Sequence, residues 1–438
     1  MSMKRASVFS GSNRSALAAA IAAGATWQAA SGQSAFVPLG DLAGGQVVSS
    51  ASGVSSFDLA GGDVANLVVS GNAEGANGPE AFRWTQAGGI EGLGDLGGSF
   101  FFSSAAGIST DGTTIIGGAS APGGIVAMRW RAATGMESLG DLPGGPFQSE
   151  AGGVSADGDA VVGASRSISG PLGDEAFLWT PSGGMAGLGR LSPGTSTLAT
   201  AISGDATIVA GYGSPDGQRG QPFRWSEAEG LQQLPVPPGS LVTGEAQGMS
   251  LDGSIIVGWV RTADGQSAVR WTEGGLEILA TATEFEGDRI FARSVSEDGG
   301  VIVGWAQDGA DLRPFIWTEA DGMRPLQDVL VDDFGLDLTG WTLTLALDAS
   351  VHADTGRVVV VGAGVNPDGD TEAYLAVLDP APPCAVDFDG DGEVTIFDFL
   401  AFTNLFQDGD LRADFDGDGV LTIFDFLRYF DAFDIGCP

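Results

Sequence analysis

Near the C-terminus, carboxylates stand at Asp387, Asp389, Asp391 and Asp398, with Gly392 in the middle of the run. Twenty-seven residues on, Asp414, Asp416, Asp418 and Asp425 repeat that spacing around Gly419. Acids at the first, third, fifth and twelfth places of a loop, with glycine at the sixth, suit calcium, a hard cation that takes six to eight oxygens. Asp387, Asp389 and Asp391 would give side-chain oxygens, Glu393 its backbone carbonyl, Thr395 a water-mediated contact, and Asp398 would close the shell. Asp414, Asp416, Asp418, Val420, Thr422 and Asp425 would repeat those roles. The twelfth residue is Asp rather than Glu, a shorter arm that weakens binding or admits an extra water. An acidic solvated turn is the competing reading, and two copies in one register argue against it. Two calcium ions are therefore expected. Without them the crowded carboxylates repel, and the segment should be loose or unfolded.

The elements that position these acids follow each loop directly. Ile396 to Phe406 and Ile423 to Phe433 are apolar, and Phe397, Leu400 and Ala401 have helical spacing, as do Phe424, Leu427 and Phe430. Each unit is an EF-hand loop with its exiting helix and no clear entering helix. Cys384 and Cys437, the chain's two cysteines, bracket the pair. In a secreted protein they read as one disulfide, with two free thiols as the alternative. Residues 384–438 resemble the dockerin family, in particular the variant ending in Gly-Cys (here Gly436-Cys437) found in secreted planctomycete proteins. The resemblance rests on the eight aspartates. It implies calcium binding and docking onto a cohesin-like or other surface protein, with near-identical halves permitting two orientations. The chain departs from the family pattern in having Asp rather than Asn at the third position of both loops. It also has Ile396-Phe397 and Ile423-Phe424 where well-studied members carry a small polar pair.

The 438 residues carry a formal net charge of -37, which repels nucleic acid and anionic membranes and otherwise reads as a solubility device. Residues 1–32 read as a signal peptide: Lys4, Arg5 and Arg14 flank a short Ala-rich apolar core, and Ala30-Ser31-Gly32 offers a cleavage site. No later apolar run is long enough to span a membrane. The expected location is secreted, extracellular or cell-surface associated.

Between residues 35 and 379 the chain repeats every 46–59 residues or so. Trp84, Trp130, Trp179, Trp225, Trp271 and Trp317 stand 46, 49, 46, 46 and 46 residues apart, each at the end of an apolar-any-Trp motif. Each repeat holds four strand-like stretches divided by turn signals such as Asp111-Gly112, the build of a propeller blade. The chain opens with only a last strand, around Val37 to Leu42, and its repeats finish with only the first three, ending at Leu378. Joining these part-units predicts an all-β, seven-bladed β-propeller of four-stranded blades, with the N-terminal strand closing the last blade. A Pro-rich linker, residues 380–383, then leads to the small α-helical calcium-binding module. The elements Ala-Phe-any-Trp-Thr, Leu-Gly-Asp-Leu-Gly-Gly and Gly-Ile-Ser-any-Asp-Gly resemble the HAF family of extracellular repeats, which implies the fold and export. The family's namesake His is replaced by Glu80, Val126, Glu175, Gln221, Ser267, Arg313 and Glu372.

If the strands of a blade run a to d, the a–b and c–d turns are tight. The b–c and d–a connections are expected to be longer and to share one face, the candidate binding surface. Phe100, Phe101, Phe102, Phe147 and Trp341 fall there and would stack on sugar rings, unless they pack between blades. Phe285 and Phe291 fall there too. Catalytic signals are sparse. His352 is the only histidine, expected at the surface, so a His-ligated zinc cluster is excluded. No catalytic residue and no organic cofactor is assigned. The leading expectation is a secreted binding or structural propeller tethered by its calcium module. The alternative is a polysaccharide-degrading glycoside hydrolase or lyase using loop carboxylates among Asp174, Glu175, Glu245, Glu284, Glu286 and Asp288.

Overall fold

The computed structural model describes residues 34–58, 60–61, 63–167, 173–192, 195–214, 220–237, 243–262, 265–279, 289–379, 386, 388, 394–415 and 419–435. The expected signal peptide, the Pro-rich linker, Cys384, Cys437, Phe285, Glu284, Glu286 and Asp288 lie outside them. The chain divides into two compact units between Leu378 and Asp379.

The first unit is almost entirely β and has a propeller's build. Its strands form successive antiparallel groups of four, the first being Gly44–Val54, Val68–Gly75, Gly78–Thr85 and Gly89–Gly92. Five more groups run from Ser103–Ile108 to Gly322–Pro325. A last group joins Thr342–Val351, Val358–Val365 and Thr371–Leu378 to the N-terminal strand Ala35–Gly40, which pairs antiparallel with Thr371–Leu378.

The repeat motifs have physical reasons. In the apolar-any-Trp strand the first residue points inward: Phe82, Phe177, Phe223 and Phe315 are fully buried. Each ring needs a glycine on the neighbouring strand. A Cβ at Gly304 would stand 1.9 Å from the Phe291 carbonyl oxygen and 2.9 Å from Phe315 Cζ. The Ser-any-Asp-Gly element builds the turn between the first two strands. Ser109 Oγ donates to Asp111 Oδ1 at 2.6 Å, while the Thr114 N–H donates to Ser109 Oγ at 3.0 Å. Ser155–Asp157, Ser203–Asp205, Ser250–Asp252 and Ser296–Asp298 repeat it. Three residues at one position of the repeat, Glu80, Glu175 and Glu372, are structural acceptors. Glu80 accepts from the Gly94 N–H, Glu372 from the Gly40 N–H, and Glu175 from the Ser167 hydroxyl.

Buried hydroxyls join neighbouring groups. Ser103 Oγ accepts from the Ala81 N–H at 3.0 Å and donates to the Gly94 carbonyl at 2.6 Å. Ser149 and Thr197 do the same one and two groups on. Ser49 makes this joint between the first group and the last, accepting from Ala373 N at 3.0 Å and donating to the Gly40 carbonyl at 2.8 Å. One small cavity, about 140 Å³, is lined by Val54, Ile108, Val154, Ile202, Met249, Val295 and Ala349, one from the first strand of each group.

Connection lengths differ from expectation. The second and third strands meet through two-residue turns at Gly75/Gly78, Ala121/Gly124 and Asp308/Asp311, because paired register runs to the strand ends there. The first group has instead a long connection between its first two strands, holding the short helix Val64–Asn66.

Among the described residues the second unit holds two α-helices, α1 (Ile396–Asp408) and α2 (Ile423–Ile435), and a short 3-10 turn, Leu411–Ala413. Its core is built from residues 27 apart. Phe388 and Phe415, Val394 and Leu421, Phe399 and Phe426, Phe402 and Tyr429, and Phe406 and Phe433 all pack together. The central pair, Phe402 and Tyr429, stack with ring centroids 3.8 Å apart and planes 11° apart. Among the described residues no helix is long and apolar enough to cross a membrane.

Candidate functional site

The site is built at the N-termini of α1 and α2. Thr395 caps α1, accepting from the Phe397 N–H at 3.2 Å, and Asp398 completes a capping box by accepting from the Thr395 N–H at 2.7 Å. The other oxygen of Asp398 accepts from the Phe388 N–H at 2.8 Å. One carboxylate thus pins both ends of the acidic loop. In the second copy the Thr422 N–H donates to Asp425 at 2.7 Å, and the Phe424 N–H to Thr422 Oγ1 at 3.1 Å. The Gly419 N–H, at the sixth position, donates to Asp414 Oδ2 at 2.7 Å, and Gly419 takes φ +85°, a conformation that favours glycine. Asp398 and Asp425 are fully buried.

Thr395, Asp398, Asp414, Val420, Thr422 and Asp425 are therefore placed; Val420 is exposed. Asp387, Asp389, Asp391, Glu393, Asp416 and Asp418 lie outside the described residues. Among the described residues no three His, Cys, Asp or Glu side chains gather closely enough to hold a metal. What is placed fits a calcium loop: the donors are oxygens, the closing carboxylates are held rigidly, and the sixth-position glycine makes its turn.

The stripe read as helical, Phe397 and Leu400 on α1 with Phe424, Leu427 and Phe430 on α2, faces solvent rather than the core. Phe397 is 64% and Phe424 65% exposed. Ile396, Leu400, Ile423 and Leu427 are also about half exposed or more. The buried stripe is Phe399, Phe402 and Phe406 with their partners on α2. Helical spacing is satisfied by both stripes, so periodicity alone does not tell them apart. What separates them is a contact between the two copies, Phe402 stacking on Tyr429.

On the first unit the aromatic calls divide. Phe100 and Phe147 are exposed, while Phe101 and Phe102 are half-buried. Trp341 is a packing residue: its ring meets Phe36 edge-on at 5.0 Å, and Phe36 stacks on Tyr374 at 5.5 Å, inside the core of the last group. His352 is more covered than expected, with its side chain 13% exposed, Nδ1 2.9 Å from Thr355 Oγ1 and the ring edge-on to Phe57. The loop acids among the described residues have partners. Asp174 pairs with Arg166 at 3.4 Å, and Glu175 accepts from Ser167 at 2.6 Å with Arg190 3.9 Å away. Glu245 accepts from the Trp259 indole at 3.2 Å and the Gln247 amide at 2.9 Å, and lies with Tyr212 beside Gly220, aromatic neighbours that sequence reading passed over.

No family model matches the chain, and no curated protein matches it. Among solved structures it is similar to a TolB-like protein from Agrobacterium tumefaciens, with 16% identity over 66% of this chain and 94% of that one and a TM-score of 0.40. It is likewise similar to TolB from Acinetobacter baumannii, with 11% identity over 71% of this chain and 80% of that one, also at 0.40. At these scores the likeness adds nothing to what the strand pairings state.

Proposed function

We propose that the chain is a secreted or cell-surface protein in which a closed seven-bladed β-propeller recognises a ligand on one face. A calcium-dependent, dockerin-like module would tether it to a cohesin-like partner protein. Closure is supported by the Ser49 joint, which repeats between first and last groups the bond pattern found between inner neighbours. It is supported too by the cavity that draws one residue from every group.

The chain's own residues would do the following. Asp387, Asp389, Asp391 and Asp398, and their counterparts Asp414, Asp416, Asp418 and Asp425, would hold one calcium ion per loop. Calcium would supply the positive charge that lets these carboxylates converge. Asp398 and Asp425 tie each loop to its helix, so loop order and helix placement go together. Export and the Cys384–Cys437 disulfide belong to this proposal as well.

The observation that carries the docking role is the duplicated apolar surface on α1 and α2. Ile396, Phe397 and Leu400 on one helix and Ile423, Phe424 and Leu427 on the other sit in equivalent positions, all about half exposed or more. Side chains of this size gain about 1.5–3 kcal/mol each on full burial, enough together for a stable complex. The test is calorimetric titration of a panel of cohesin domains with the full chain, in calcium and in chelator. Binding is expected in calcium only. Because the halves are alike, Phe397→Asp or Phe424→Asp alone should leave binding through the other half, and the pair together should abolish it. Binding indifferent to chelator, or unchanged in the double variant, would overturn the reading.

A further inference from the structure

In every group of the first unit a buried Ala on the first strand faces a Gly on the second, for example Ala246 and Gly258. One step before the Ala, the cross-strand pairs vary. They are Ser50–Asn72, Ser104–Gly118, Glu150–Ala164, Leu198–Tyr212, Glu245–Trp259, Phe291–Trp305 and Leu345–Ala363. The fold itself asks only for something small here. Yet the third to sixth groups, which are consecutive, carry Glu150, Tyr212, Glu245, Trp259, Phe291 and Trp305.

These side chains form a connected wall. Phe291 stacks on Trp305 with centroids 5.2 Å apart, and Trp259 of the preceding group meets Phe291 edge-on at 6.1 Å. Trp259 Nε1 donates to Glu245 Oε2 at 3.2 Å, and Gln247 Nε2 donates to the same oxygen at 2.9 Å. Gln247 also lines a cavity of about 150 Å³ with Thr200 and Arg293. Burial, helped by the charges of Glu245, Glu150 and Asp174, pushes the Tyr212 phenol up to about 12, and Tyr212 and Glu245 meet beside Gly220, where a Cβ would stand 2.8 Å from Glu245 Cγ and 3.1 Å from Tyr212 Cδ2. Burial raises Glu245 above the usual carboxylate range. Among the described residues Oε1 of Glu245 has no hydrogen-bond partner. The Arg293 charge acts on Asp348.

We propose that this wall binds an amine-bearing sugar, with Trp259, Phe291 and Trp305 presenting apolar rings to the sugar's C–H face and Glu245 receiving its ammonium group. A neutral sugar would leave the free oxygen of Glu245 unmatched beside the rings, whereas an ammonium group answers both features. The inference rests on the reading that the propeller recognises a ligand, and it names the ligand class.

The test is titration of the full chain in calcium with a glucosamine hexamer, its fully N-acetylated counterpart and oligolysine, read by tryptophan fluorescence and calorimetry. The glucosamine hexamer should bind, and Glu245→Gln should weaken it at least roughly tenfold. Trp305→Ala should abolish it. Equal binding of the N-acetylated hexamer would overturn the role of charge, and if Trp305→Ala removed that binding the propeller would still be a recognition module. Tighter binding of oligolysine than of the sugar would overturn the sugar assignment. No binding of any probe would overturn the inference and leave the docking test above untouched.

Discussion

Asp348 and Glu297 are the residues where the repeat is broken by charge, at the contacts of the last group with its neighbours. Across several neighbouring groups a backbone N–H of one donates to a backbone carbonyl of the next: Ala156 to Gly204 at 3.2 Å, Gly204 to Leu251 at 2.7 Å, and Leu251 to Glu297 at 3.0 Å. At the last group side chains take over. Glu297 accepts from the Ser350 hydroxyl at 2.8 Å and the Val351 N–H at 3.3 Å. Asp348 accepts from Ser294 Oγ at 2.6 Å and the Val54 N–H at 2.9 Å. Burial raises both carboxyls above their usual range. The native state then holds protons that the unfolded chain releases, so their contribution is fully present below about pH 4 and is lost as pH rises through the raised values. The turn acids act in the opposite sense. The Asp159 N–H lowers Asp157, the Ser203 hydroxyl lowers Asp205, and the Ser254 N–H lowers Asp252. Their contribution is present above about pH 4 and is lost as pH falls through the lowered values. The melting temperature of the propeller should therefore be higher at about pH 5 than at about pH 8, and Asp348→Asn should shrink that difference. An unchanged pH slope in the variant would show that Asp348 does not titrate in this way.

The strands follow from a short rule. An inward Phe, a facing Gly and a Ser-any-Asp turn recur, and each depends on the next through a contact that a single change would break. Gly304→Ala places a methyl against the Phe291 carbonyl and the Phe315 ring, and should destabilise by roughly 1–3 kcal/mol, read as a lower denaturation midpoint with unchanged slope. A neutral outcome would mean that the strands separate more easily than their register implies. This level was legible in the sequence, because tight turns and fixed periods leave local marks: Asp111-Gly112 and the tryptophan spacing announced the strands. The two helical stripes were legible only as helices. Which one faces out is decided by Phe402 stacking on Tyr429 from the other copy, a contact 27 residues away in sequence. The wall of Glu245, Trp259 and Phe291 was still harder to read, because its members belong to different groups and meet only when the groups pack.

At the scale of the molecule, an N-terminal strand completes the last four-stranded group, and a small helical unit follows the propeller along the chain. The complementary part-units at the two ends pointed to that pairing from the sequence. Hydrogen–deuterium exchange on the full chain, in calcium and in chelator, tests both halves of the account together. It predicts that Ala35–Gly40 is as protected as its partner Thr371–Leu378 in both conditions, and that Ile396–Asp408 and Ile423–Ile435 lose protection when calcium is removed. An N-terminal strand that exchanges like a free end, or helices indifferent to chelator, would contradict it.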